Sequence, residues 1–180
     1  KIIKSIEKKL KFPVVIKPIN EGSSVNVFIC NKSNLKNRLK KLKIYREILV
    51  EEFISGREIQ GAIFGNIKLG AIELKPKRKF YDYEAKYSSK AQTKHIIPVD
   101  ITKRKFNELM DISLKVHKLL GCKGVTRSDF KYYKNNFYLL ETNTQPGMTK
   151  LSLVPEICLH KGISFIKLIR LLLDDASTNK

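Results

Sequence analysis

Two rhythms of apolar residues run along this chain, and they assign its elements. Phe12-Pro-Val-Val-Ile-Lys17 is a short apolar run closed by Pro18 and reads as a buried strand. Residues 20–24 form a polar, Gly-containing loop, and strand character resumes over residues 25–30. Ser33 is placed to cap a helix with Leu35, Leu39 and Leu42 on its apolar side, ending near Tyr45. Residues 48–54 read as another strand, stopped by Ser55-Gly56. Residues 59–64 and 67–74 flank Gly65-Asn66, a two-residue hairpin signal. The stretch 75–92 is charged and aromatic without periodicity, which predicts a long loop of the kind that usually carries function. Asp100 or Thr102 opens a helix with Phe106, Leu109, Ile112, Val116 and Leu119 on one face and Gly121 at its end. Residues 125–133 and 137–142 form a second hairpin about Lys134-Asn135-Asn136. A short helix over 154–160 follows, and Ser164 caps a final helix running through Leu173. This order predicts an α+β fold with largely antiparallel sheets.

Composition narrows the class. The chain has 180 residues, enough for one domain or two small lobes, and 42% hydrophobic content with nine Phe and seven Tyr argues for a folded globule. No apolar run approaches the ~20 residues that cross a membrane, and Lys and Glu interrupt every apolar cluster near the start, as no signal peptide would allow. The first residue is Lys1, which reads as a fragment or processed form. The net charge of +19 suggests an anionic partner. Its densest stretch, residues 36–43, lies on an amphipathic helix without interleaved aromatics, so it reads as a solvated face rather than a nucleic-acid surface. Cys30, Cys122 and Cys158 form no paired motif and read as core thiols of a reducing cytoplasm. His95, His117 and His160 form no spaced cluster; His117 reads as helix surface, and none is assigned to catalysis.

The chemistry concentrates in Arg127-Ser-Asp129 and Glu141-Thr-Asn143. Residues i and i+2 of a strand share a face, and a hairpin brings the two pairs alongside each other. One face then holds two carboxylates, an amide oxygen and a guanidinium. Such oxygen donors suit magnesium with substrate phosphates, and the arginine offsets developing negative charge. The flanking Phe130, Phe137, Leu139 and Leu140 suggest a well-buried sheet rather than a solvated salt bridge. Lys17 ahead of Glu21-Gly-Ser-Ser-Val25 can hold phosphate by charge and by loop N–H groups, though this is not a Walker A sequence. The strand through Glu51, Glu52, Phe53 and Ile54 can offer backbone groups to an adenine edge, with Glu58 accepting from ribose. Phe80-Tyr-Asp-Tyr-Glu-Ala-Lys-Tyr87 reads as a lid that excludes water from a reactive intermediate. Gly147 can aim a backbone N–H at an oxyanion.

Together these segments resemble the D-alanine–D-alanine ligases, an ATP-grasp family, over nearly the whole chain. The specific stretches are Lys17-Pro-x-x-Glu-Gly-Ser-Ser-Val, the Phe80–Tyr87 run, Gly121-Cys-Lys-Gly-x-x-Arg-x-Asp129 and Leu139-Leu-Glu-x-Asn-Thr-x-Pro-Gly-Met-Thr149. The resemblance implies an ATP-grasp fold in two small lobes. Residues 1–58 would be part of the central lobe and residues 59–180 the C-terminal catalytic lobe, with an N-terminal substrate domain lying outside this chain. It implies that Lys17 and the Ser23-Ser24 loop hold ATP phosphates, that Glu51, Glu52, Phe53 and Ile54 line the adenine pocket, and that Glu58 meets the ribose. Asp129, Glu141 and Asn143 would bind two magnesium ions, with manganese as an alternative. Arg127 and the Gly147 N–H would stabilise the tetrahedral intermediate. Lys86, Ser152 and Leu153 would hold the second D-alanine, and Tyr87 would pair with Ser23.

The implied reaction joins two D-alanines through an acyl phosphate for peptidoglycan synthesis. The implied setting is cytoplasmic, as a homodimer at full length, with no nucleic-acid or membrane partner. Glu52 departs from the family, many of whose members carry lysine there; only the backbone is expected to matter. The isolated stretch is expected to fold but not to ligate, because contacts to the first D-alanine and a further phosphate-binding lysine come from upstream. The alternatives are a ligase taking D-lactate or D-serine second, another ATP-grasp carboxylate–amine ligase, and a basic nucleic-acid-binding module. The Glu84-Ala-Lys86-Tyr87 lid resembles the D-alanine type.

Overall fold

The computed structural model describes residues 2–22, 24–76, 93–149 and 151–176. By packing, the chain divides into two compact units, the first comprising Lys1–Ile54 with Pro76–Thr93 and the second Ser55–Lys75 with Lys94–Lys180. The division falls where the third strand gives way to Ser55-Gly56, so Glu58 belongs to the second unit.

The first unit is a three-stranded antiparallel sheet with two helices. In chain order it has α1 (Ile2–Lys9), β1 (Val14–Pro18), β2 (Phe28–Cys30), α2 (Leu35–Lys41) and β3 (Ile48–Glu52), with strand order β2-β1-β3. Alternation along β1 buries Val14, Ile16 and Pro18. Val14 and Ile16 close a core with Ile6, Cys30, Leu35 and Leu42. Lys17 and Glu51 lie on the opposite face. Two expectations need correction, and one helix went unread. β2 begins only at Phe28, because Ser24 (φ 61°) and Asn26 (φ 55°) are left-handed and continue the turn. Ser33 is not the cap of α2: Asn34 is, and the Ser33 hydroxyl donates to Asn31 Oδ1 at 2.7 Å. α1 carries too short an apolar stripe to be read from the sequence, yet it buries Ile6.

The second unit is a five-stranded antiparallel sheet in the order β6-β5-β4-β7-β8. Its elements are β4 (Arg57–Phe64), β5 (Ile67–Lys75), β6 (Lys94–Ile96), α3 (Lys103–Leu119), β7 (Val125–Tyr133), β8 (Asn136–Asn143), α4 (Leu153–His160) and α5 (Phe165–Asp175). Both expected hairpins form. The β7–β8 turn is Lys134-Asn135 alone, with φ of 46° and 65°, the doubly left-handed geometry that two-residue hairpins prefer. β6 was hidden in the polar stretch after the long loop; it pairs with β5 and joins α4 through His95 Nδ1 and Glu156 Oε2, 2.6 Å apart.

α3 packs on one face of this sheet, where Leu109 and Met110 meet Ile59, Ile63, Ala71, Val99 and Phe130. Thr102 caps it, accepting from the Lys105 N–H at 3.3 Å. Of its expected apolar stripe, Leu109 is buried and Phe106 and Ile112 pack against the core, but the stripe differs at its end and is broader than expected. Leu119 is 75% exposed, and Lys105, Ser113 and His117 point inward. Ser113 fits because Gly61 of β4 lacks a side chain: a Cβ there would lie 2.5 Å from Ser113 Oγ. His117, expected on the surface, is buried and sits 2.9 Å from Thr126 Oγ1. Cys30 and Cys158 are buried as expected, and burial pushes the Cys158 thiol up to about 11; Cys122 is half-exposed. Among the described residues no helix is long and apolar enough to cross a membrane.

Burial lowers the His117 pKa from its ordinary value. The unfolded chain titrates near ~6.5, so below that pH it binds a proton the folded chain resists. Stability contributed by the neutral ring is complete above ~6.5 and is lost as pH falls towards the folded pKa. Urea unfolding from pH 7 down to pH ~5.5 should therefore show a smaller acid loss in His117→Gln than in the wild type.

Candidate active site

The sheet face opposite α3 in the second unit carries a lattice of polar side chains, and strand register places each one. Residues directly opposed on antiparallel strands share a face. Asp129 of β7 is opposed by Gln60 of β4 and Glu141 of β8. Arg127 is opposed by Ala62 and Asn143, and Lys131 by Glu58. The four residues singled out from their i, i+2 spacing thus stand together, in two facing pairs.

A shift in register makes this possible. Between Asp129 and Phe130 the pairing slips by one on β8, so that Asp129 faces Glu141 but Phe130 faces Leu139. Glu141 and Leu139 have the same parity yet lie on opposite faces. Below the slip β8 gives Phe137 to the α3 side, where its ring packs at 4.6 Å from Tyr132 and 6.1 Å from Phe130. Above it, β8 gives Glu141 and Asn143 to the polar face. Such bulges recur beside active sites because they re-aim side chains. The expectation of a well-buried sheet here holds for Phe130 but not for Leu139 and Leu140, which are 41% and 38% exposed because β8 is the outermost strand.

The charges on this face are paired with one another. Arg127 forks onto Asp129, with Nε donating to Oδ1 at 2.7 Å and Nη2 to Oδ2 at 3.0 Å. Lys131 donates to Glu58 Oε1 at 2.6 Å, both side chains being 13% exposed. Lys131 and Gln60 were not singled out from the sequence, although the same alternation extends from Asp129 to Lys131 and from Glu58 to Gln60. Asn143 Oδ1 accepts from the Gln145 N–H at 3.0 Å and so begins the turn towards Pro146-Gly147.

That turn is held by Ser152. Its Oγ accepts from the Thr149 N–H at 2.9 Å and lies 2.9 Å from Thr149 Oγ1. Ser152 precedes α4, yet its hydroxyl does not cap the helix. A Cβ on Gly147 would stand 2.9 Å from Ser152 Oγ, so glycine leaves room for this hydroxyl. Leu153 begins α4 and is half-buried.

In the first unit Lys17 Nζ lies 2.9 Å from Glu51 Oε1. Glu52 Oε1 accepts from the Lys11 N–H at 2.9 Å, and the Phe53 N–H donates to Pro13 O at 3.0 Å. Ile54 is half-buried, and Ser24 sits in the turn before β2. Ser23, Lys86 and Tyr87, with the whole run 80–87, lie outside the described residues.

Among the described residues no three His, Cys, Asp or Glu side chains converge as a metal-binding group. The donors that do share a face, Asp129, Glu141 and Asn143, are all oxygen atoms, a set suited to a hard cation such as magnesium with further ligands from substrate and water.

Residues 1–174 match the family described as D-ala D-ala ligase C-terminus. The chain belongs to that family. Among curated relatives it is 68% identical over 179 residues to the D-alanine--D-alanine ligase of Pelagibacter ubique (strain HTCC1062), a match spanning 99% of this chain and 59% of the relative. It is 44% identical over 177 residues to the D-alanine--D-alanine ligase of Wolbachia pipientis wMel, with 96% and 56% covered. The chain thus spans a little over half the length of these relatives. The crystal structure of D-alanine--D-alanine ligase from Bacillus anthracis superposes with a TM-score of 0.82 at 30% identity, over 97% of this chain and 57% of that one. The VanG D-Ala:D-Ser ligase from Enterococcus faecalis gives 0.83 at 29% identity, over 96% and 52%. The α+β architecture of this family member is the ATP-grasp fold.

The Lys131–Glu58 pair sets a test of the lattice. Glu58→Gln leaves a nearly buried ammonium without its counter-charge and should cost about 2 kcal/mol in urea unfolding. The double variant Glu58→Gln/Lys131→Met should recover most of that loss; simple addition of the two single losses would show that the pair is not coupled.

Proposed function

We propose that the full-length protein joins two D-alanines to D-alanyl-D-alanine at the expense of ATP, for peptidoglycan precursor synthesis, and that this chain supplies its ATP- and magnesium-binding C-terminal part. The observation that carries this reading is the register that opposes Arg127 to Asn143 and Asp129 to Glu141 on one face, in a chain of this family. Residues 1–58 are read as part of the central ATP-grasp lobe and residues 59–180 as the catalytic lobe, with the N-terminal substrate domain outside this chain.

Asp129, Glu141 and Asn143 are read as the residues that hold two magnesium ions. When bound, these supply positive charge at the transferring phosphoryl group. Asp129 serves by giving up part of its fork from Arg127, whose guanidinium then turns to the developing oxyanion together with the Gly147 N–H. The carboxylate of the first D-alanine attacks the γ-phosphorus, and ADP leaves. The amine of the second D-alanine then attacks the acyl carbon, the C–O bond to phosphate breaks, and phosphate and a proton are released. Splitting the reaction this way replaces one high barrier with two lower ones.

Ser152 and Leu153 are read as contacts to the second D-alanine. The Ser152 oxygen already accepts from the Thr149 N–H, and with Thr149 Oγ1 as donor in their mutual contact its own O–H is left to donate to a carboxylate. Lys17 and Ser24 are assigned to ATP phosphates, Glu51, Glu52, Phe53 and Ile54 to adenine, and Glu58 to ribose. For Glu58 that means loosening its hold on Lys131. Ser23, Lys86 and Tyr87 carry their phosphate, substrate and lid roles on family resemblance. Cytoplasmic location, homodimer assembly and the absence of nucleic-acid or membrane partners complete the reading.

The likeness to a D-Ala:D-Ser ligase, as close in fold as that to a D-alanine--D-alanine ligase, keeps D-serine as a second reading for the second substrate. In full-length protein, Asp129→Asn and Glu141→Gln should each lower kcat/KM on the order of 10²-fold or more; an unchanged rate in either would refute the metal assignment. With D-alanine, D-serine and D-lactate competing near neutral pH, D-alanyl-D-alanine should dominate. A dominant mixed product would overturn the choice of second substrate.

A further inference from the structure

Gln60 stands between Asp129 of β7 and Ile72 of β5, in one row across the polar face. It is buried, with 4% of its surface exposed. Its Oε1 has no hydrogen-bond partner, the one such buried side-chain atom among the described residues. Native folds rarely keep a buried acceptor unpaired, because it has lost its water without gaining a donor. The donors on this face are already engaged, Arg127 with Asp129 and Lys131 with Glu58. Ile72 and Ala62 are apolar. Asp129 is itself an acceptor, and both its oxygens are engaged by Arg127. Glu58, two residues along the strand, is an acceptor held by Lys131. Among the described residues nothing supplies the donor, and a group bound beside Asp129 would be placed to do so.

We propose that Gln60 is a binding residue for the hydration shell of a divalent cation held by Asp129 and Glu141, with Oε1 accepting a hydrogen bond from a metal-bound water. This rests on the reading of Asp129 and Glu141 as cation ligands. Magnesium bound by few carboxylates keeps several waters, and the metal's charge makes each a strong donor. Phosphate oxygens are acceptors and cannot serve Oε1. Glutamine offers the acceptor without adding another negative charge beside Asp129, Glu141 and Glu58. The arrangement makes the ligand-free face less stable than an apolar residue would, and favours the cation-loaded one.

The test uses full-length protein with Gln60→Leu, similar in size and without polar atoms, and Gln60→Glu, which keeps an acceptor. Two quantities are read: the melting temperature without ligand, and the magnesium concentration that half-maximally tightens ADP binding in calorimetry. Gln60→Leu should melt no lower than wild type, since the unpaired acceptor is gone, and should need about tenfold more magnesium. Gln60→Glu should keep or lower the wild-type requirement. An unchanged requirement in Gln60→Leu, or a raised one accompanied by a lower melting temperature, would overturn the proposal. If the leucine variant does not fold, a raised requirement in Gln60→Glu overturns it. Asp129→Asn, measured alongside, should abolish the magnesium effect; if it does not, the cation-site reading itself has failed rather than the part given to Gln60.

Discussion

The register slip between β7 and β8 is the constraint on which the second unit depends. A regular ladder has a side-chain period of two, so Leu139 and Glu141 would share a face. Either the aromatic packing of Phe137 under α3 or the carboxylate beside Asp129 would then be lost. The slip at Asp129/Phe130 reverses the phase halfway along the hairpin. It lets one eight-residue strand feed a hydrophobic core at one end and a polar face at the other. The Lys134-Asn135 turn fixes the register of the lower half, and the bulge carries that register into the upper half with its phase reversed.

Charge on the polar face is organised by mutual pairing. Arg127 with Asp129, Lys131 with Glu58 and, in the first unit, Lys17 with Glu51 are neutral couples. The net charge of +19 therefore does not express itself there. Much of the excess sits on exposed lysines of α1 and α2, such as Lys4, Lys8, Lys36 and Lys40, as expected of a solvated face. On the proposed reading, a ligand enters this face by exchange of partners. Affinity is then a difference between two sets of ionic contacts, both partly desolvated, rather than the sum of one set.

Much of this was legible in the sequence because it follows from short-range rules. Period-two spacing put Arg127 with Asp129 and Glu141 with Asn143, and turn signals at Gly65-Asn66 and Lys134-Asn135-Asn136 joined the strands. What escaped depends on tertiary context. Reading α3 by hydrophobicity selected Leu119 over His117, because nothing local says that Thr126 awaits a polar partner or that Gly61 leaves room for Ser113. The turn at Ser24 and Asn26 defeats strand propensity through positive φ in residues that tolerate it at a cost. A one-residue slip has no signature in composition at all, so the opposite facing of Leu139 and Glu141 could not be foreseen.

β8 is the outermost strand of its sheet, and its far edge has no strand partner among the described residues. Edge strands are where sheets open first, through fluctuations that need far less free energy than global unfolding. Glu141 and Asn143 ride on this strand near its end. The polar face can thus come apart while the β4–β5–β7 centre and α3 remain folded. Amide exchange over residues 138–143 would then track the integrity of the site more faithfully than any measure of overall unfolding.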